Sequence, residues 1–258
     1  MTADESTPFE SAPADESLHI REPPRVLVPV EVLEGESISE SLAAFLAPAN
    51  VVVLGYHVLP EQTPTEQASM QFEDRAQEAV EDLAETFRAA GRDVETRVAF
   101  THDRDQTVER VAEEVGATAV LLPNPVGDIE DVVVPIRGTV DADRLADLVG
   151  TLLAGGEGTV TLWGIEESGV DFDADEAVEY VRETLADRGL PADQITTEVT
   201  ESEYPIRSIV DRSGEFDVIV MGAGGESVFA ALFGDETERV AEGAVAPVLV
   251  VRDREVEE

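Results

Sequence analysis

The chain has 258 residues, 43% of them apolar, which is enough for one large domain or two small ones around a sizeable core. Acidic residues number 57 and basic residues 17, a formal charge of −40, and there is no cysteine, so a disulfide framework and thiolate metal sites are excluded. Neutralising phosphate takes clustered positive charge, so DNA, RNA and anionic membranes are poor partners for this surface.

All of the basic residues are arginine. In dilute buffer such a chain repels itself; at about 1 M salt the Debye length falls to roughly 3 Å and the repulsion is largely screened. An acidic, lysine-free surface points to a salt-saturated cytoplasm, as in halophilic archaea. No apolar run reaches the roughly 18 residues of a membrane span, and the acidic start lacks the basic and apolar regions of a signal peptide. The expectation is a cytoplasmic protein that is not membrane-inserted. Residues 1–24 read as a disordered acidic tail and 253–258 as a second, short one.

After that tail, residues 25–30, RVLVPV, form a short β-branched run and predict a buried strand. Residues 37–46 predict a helix and 51–57, VVVLGYH, the next strand. From 65 to 90 runs a long helix, with Phe72, Ala76, Ala79, Val80, Leu83, Phe87 and Ala90 on one face and Gly91 to end it. Residues 94–100 predict a strand, 105–115 a helix and 117–122 a strand. The connector PNPVGDIED that follows has no room for a helix.

The order then recurs about 100 residues later. Residues 132–136, VVVPI, echo VLVPV. A helix at 141–153, a strand at 159–165, a helix at 175–188 closed by Gly189, a strand at 196–199, a helix at 206–212 and a strand at 218–221 follow. About 25 residues then precede a last strand, 248–251, which the first copy lacks. The pattern predicts a duplicated α/β unit, 25–127 and 128–252, with a doubly wound, mainly parallel sheet. Ligand sites in such sheets lie at the C-terminal ends of the strands.

RVLVPVE, GYHVLP, VIVMGAGG and FGDETERVAEGAVAPVLVVR resemble the opening, second and closing segments of the universal stress protein family. The resemblance implies two tandem units, the first degenerate, of a fold that dimerises through its last strand; a tandem chain can satisfy that pairing within itself, or pair again as a homodimer. It also implies a non-catalytic role in stress response or regulation, acting on a protein partner. Soluble domains of this kind resemble regulatory parts of transporters, which makes a membrane transporter a candidate partner.

ATP-binding members of that family carry a Gly-x₂-Gly-x₉-Gly-Ser/Thr loop, and glycines let backbone N–H groups wrap phosphate oxygens at a helix N-terminus. Here Gly222 and Gly225 have the right spacing, but eight residues rather than nine separate Gly225 from Gly234, and Asp235 follows where a hydroxyl belongs. Asp235 instead fits a helix N-cap with Glu238 three residues on. A carboxylate about 4 Å from a phosphate charge costs about 4 kcal/mol at an effective dielectric near 20. After the first strand the family's ATP binders place an Asp; the second copy has Arg137 there, able to meet a phosphate or Asp235, and the first copy has Glu31. The expectation is a former phosphate cradle closed by its own cap, with no cofactor. The alternative is an ATP-binding switch using Gly222, Gly225, Gly234 and Arg137.

Other candidates are weaker. His57 ends a strand at the ligand-bearing edge, His19 lies in the tail, and His102-Asp103-Arg104-Asp105 reads as a loop leading into a helix. No His-x₃-His pair supports a transition-metal site. Ser227 lacks the second glycine of a nucleophile elbow, so no enzyme is expected. Met70, Trp163 and the phenylalanines read as core.

Overall fold

The computed structural model describes residues 18–167, 169–223 and 244–254. Among these, nine strands form one sheet: β1 (Arg25–Glu31), β2 (Asn50–Val58), β3 (Glu95–Thr101), β4 (Ala119–Leu122), β5 (Asp131–Ile136), β6 (Thr159–Glu167), β7 (Ile195–Ser202), β8 (Val218–Gly222) and β9 (Val248–Val251). Their order is β3-β2-β1-β4-β9-β8-β5-β6-β7. All pairings are parallel except β4 with β9. The mainly parallel, doubly wound sheet is as the sequence pattern predicts.

The first unit contributes four strands and the second five. β9 joins them: Val250 faces Met221 of β8 in parallel register and Val120 of β4 in antiparallel register. The first unit, which lacks a fifth strand of its own, is closed by the second unit's. Because the junction is antiparallel, the C-terminal edges of the two units lie at opposite ends of the sheet.

Alternation along each strand serves two faces. On β1, Val26, Val28 and Val30 point to one core and Leu27 to the other. The first core is covered by α1 (Glu40–Leu46), α2 (Thr65–Ala89), α4 (Ala142–Leu153) and α5 (Ala174–Asp187); the second is covered by α3 (Arg104–Glu114) and α6 (Pro205–Arg212). Both cores run through both units.

The repeat extends to single residues. Pro29 pairs with Leu54 and Val30 with Gly55; in the second unit Pro135 pairs with Trp163 and Ile136 with Gly164. A Cβ on Gly55 would overlap Val80 and Val32, and one on Gly164 would lie 2.9 Å from Val178. Each glycine thus lets the helix after its strand pack close to the sheet. The prolines have a second effect. They have no N–H to extend a ladder, and pairing of β1 with β4 stops at Leu27, as that of β5 with β8 stops at Val133. The sheet therefore parts at the C-terminal edge between β5 and β8, the point where the connections change face.

Some expectations shift. α1 begins at Glu40 rather than 37, because the Ser39 hydroxyl accepts the Leu42 N–H and caps it there. Met70 is not core: it is 83% exposed, off the stripe that buries Ala76, Val80 and Phe87. Residues 18–24, expected in the tail, are hydrogen-bonded to α4 and to the end of α5. The remaining tail expectations, 1–17 and 255–258, lie outside the described residues.

Candidate functional site

A cleft of about 460 Å³ lies at the C-terminal edge of the second unit, between the strand ends of β5 and β6 and the start of α6. Arg137, directly after β5, is half-buried on one wall. Glu167 ends β6, Glu203 and Tyr204 form the turn before α6, and Ile206 and Arg207 come from the first turn of that helix. Pro205 sits at the helix start, where its missing N–H costs nothing. The turn is fixed by the Tyr204 N–H, which donates to Ser202 Oγ at 3.0 Å, and by a 2.8 Å contact between the hydroxyls of Ser202 and Ser208. Tyr204 is left 68% exposed at the mouth. The cleft thus combines two guanidinium groups, two carboxylates and one aromatic ring.

Of the residues singled out for phosphate contact in the second unit, Arg137 and Gly222 are described. Gly222 ends β8, and a Cβ there would come within 3.0 Å of Val140 Cγ1. Its φ is not in the left-handed region. Gly222 is therefore required by the close approach of the β5–α4 loop, the same loop that carries Arg137. Gly225, Gly234, Asp235 and Ser227 lie outside the described residues.

The equivalent edge of the first unit is filled by internal contacts. The Glu31 carboxylate lies 2.8 Å from His57 Nδ1 and accepts the Val58 N–H at 3.2 Å. The Glu31 N–H in turn donates to Glu36 at 2.7 Å. Rings of Phe72 and Phe100 meet His57 edge-on. Beside them Tyr56 is buried under the Arg104 guanidinium, and burial pushes its phenol up to about 12. His102 contacts the Thr63 carbonyl at 2.9 Å, and Asp103 caps α3 by accepting the Gln106 N–H. The histidines of the chain thus hold loops and strand ends. His19, through its backbone N–H, bonds the Arg188 carbonyl.

Sequence reasoning missed Glu167, Glu203, Tyr204 and Arg207. The signal available was topological: each lies just beyond the C-terminal end of a predicted strand or opens the next helix. A buried ion pair was also missed. Asp147 and Arg188 are each 1% exposed and meet at 2.5 Å between α4 and α5.

Comparison with known proteins agrees with the fold. Residues 128–252 match the model of the universal stress protein family. No curated protein matches the sequence. Among solved structures, the chain is similar to a universal stress protein from Archaeoglobus fulgidus, with 16% identity and a TM-score of 0.61 over 88% of this chain and 96% of that one. It also aligns with a universal stress protein in complex with cAMP, with 22% identity and a TM-score of 0.38 over 47% of this chain and 95% of that one. A third match is the cytoplasmic domain of a prokaryotic cation chloride cotransporter, with 14% identity and a TM-score of 0.47 over 89% and 95%. Of these three, the first overlays well enough to speak for the fold.

Proposed function

We propose that this chain is a non-catalytic regulatory protein of the universal stress protein type, with units at 25–127 and 128–252, that acts in a stress response through a protein partner and does not bind ATP. The observation that carries the reading is the family match over residues 128–252, which coincides with the complete five-strand unit. The refusal of ATP rests on chemistry. Glu167 and Glu203 stand in the cleft with Arg137, and Asp235 takes the place of the hydroxyl that completes a phosphate loop in the family's ATP binders. Carboxylates beside a polyphosphate repel it and supply no donors.

The partner is a protein rather than a nucleic acid, given a charge of −40, and a membrane transporter is the class the resemblance suggests. No helix among the described residues is long and apolar enough to cross a membrane. The cellular setting in this reading is the cytoplasm of a halophile. A second reading, an ATP-binding switch, is favoured by Arg137, Arg207 and Tyr204 converging on one cleft. Calorimetric titration with Mg-ATP in molar KCl, with phosphate release followed alongside, separates them. The proposal expects neither binding heat at millimolar ATP nor turnover. Binding without turnover would establish the switch, and turnover an enzyme.

A further inference from the structure

Before entering β1, residues 18–24 run along the outer side of α4. The His19 N–H donates to the Arg188 carbonyl at the end of α5. The N–H groups of Arg21 and Glu22 both donate to the Asp147 carboxylate, at 3.1 and 2.9 Å. Asp147 also receives Arg188 Nε, and Arg188 bonds Asp143, as does Arg21. Arg144 grips Glu22 with two nitrogens at 3.1 Å, and its remaining nitrogen bonds the carbonyls of Arg252 and Asp253 just after β9. One arginine therefore ties the entry of the chain to its exit.

The chemistry of this arrangement is asymmetric. A carboxylate as buried as Asp147 is tolerated only when its oxygens are filled, and two of its donors come from the segment 18–24. The segment itself is held differently from a core strand. It adds no strand to the sheet, which it meets through a single bond, from the Asn50 N–H to the Pro24 carbonyl at 3.0 Å. Its anchors are mainly polar, with apolar contacts confined to Ile20 against Gly150, Leu18 beside Leu153 and Leu190, and buried Pro24 at its end. Segments with few apolar contacts and partly exposed hydrogen bonds open locally, at free energies well below that of global unfolding. The segment belongs to the first unit by connectivity and to the second by contact.

We propose that residues 18–24 are a releasable clasp: they fasten the two units across α4, and their detachment opens the Asp143–Asp147–Arg188 surface while both units of the sheet stay folded.

Amide hydrogen exchange on the full chain in molar KCl tests this, comparing wild type with Glu22→Gln, which removes a charge outside both cores. In the wild type, the amides of His19, Arg21 and Glu22 are expected to be protected, yet to exchange at least about tenfold faster than those of β1 and β9. Glu22→Gln is expected to speed exchange at these three amides by about tenfold, the scale of a lost charge-assisted bond, while β1, β5 and β9 keep their rates. Two results would overturn the proposal. Amides that exchange as freely as an unstructured peptide in the wild type mean there is no clasp. Amides that exchange at the rate of β1, or a variant in which β1 and β9 loosen equally, mean the segment is part of the global fold and does not release.

Discussion

Val250 sits between the two units in the sheet: its register partner in β8 is Met221 and its register partner in β4 is Val120. A strand shared in this way makes the two tandem units interdependent. Both cores also continue across the junction, through Leu249 and Val251 on one face and Val248 and Val250 on the other.

It follows that the chain unfolds as one unit. Leu249→Ala, at a fully buried position, should cost about 2 to 5 kcal/mol and lower the midpoint of both units together. Trp163 fluorescence reports the second unit and far-ultraviolet circular dichroism reports both. Coincident transitions in wild type and variant are the expected outcome; a first unit that melts separately would contradict the shared-strand account.

The two strand glycines give a paired prediction. Gly55→Ala and Gly164→Ala should each cost about 1 to 3 kcal/mol in denaturant unfolding, because a new methyl must displace a neighbouring helix. The effect should be larger at Gly55, where a Cβ overlaps Val80, than at Gly164, where Val178 is 2.9 Å away.

Trp163 is also a local probe. The Arg212 guanidinium lies 4.3 Å from its ring centroid and is held there by Glu198 and Glu215. Arg212→Leu should lower stability by about 1 to 2 kcal/mol and change the Trp163 emission of the native state. An unchanged native spectrum would place the cation elsewhere in solution.

The clasp carboxylates set a pH dependence. The hydrogen bond from Arg144 holds Glu22 below its ordinary 4.5, and the one from Arg188 holds Asp143 below its ordinary 3.8. Because these groups are depressed in the folded state, their stabilisation is complete above the ordinary values and is lost as pH falls through the lower, folded ones. Glu22→Gln should therefore flatten the acid limb of the midpoint-versus-pH curve below about pH 4.5 relative to wild type. Parallel curves for the two proteins would show that Glu22 contributes nothing there.

Much of this architecture was legible in the sequence. The echo of VLVPV in VVVPI, the helix-ending glycines and the alternation of strands with apolar-striped helices specify a duplicated parallel sheet. The connector after Leu122 is too short for a helix, which marks the first unit as incomplete. Sharing of β9 was not legible, since no local pattern states which edge a four-residue strand will meet. The clasp was hidden for a different reason. Residues 18–24, LHIREPP, continue an acidic stretch and end in two prolines, so they look like tail, and Asp147 sits beside apolar positions of α4 with its partner Arg188 41 residues away. The cleft was half legible: Arg137, singled out in the sequence, lines it, while Glu167 comes from the end of β6 and Glu203 and Tyr204 are brought in by the β7–α6 turn.

The acidic, lysine-free composition leads to a simple expectation. Raising KCl from about 0.1 to 2 M shortens the Debye length from about 10 Å to below about 3 Å and should raise the unfolding midpoint steeply. A midpoint insensitive to salt would argue against a halophilic setting.

The most direct test of the central claim is thermal unfolding in about 2 M KCl with and without millimolar Mg-ATP, on wild type and Asp235→Ser, since a ligand of the folded state must raise the midpoint by mass action. The account predicts no shift in the wild type. A shift in Asp235→Ser alone would trace the closure to that carboxylate. A clear shift in the wild type would contradict the account and make the protein an ATP-binding switch.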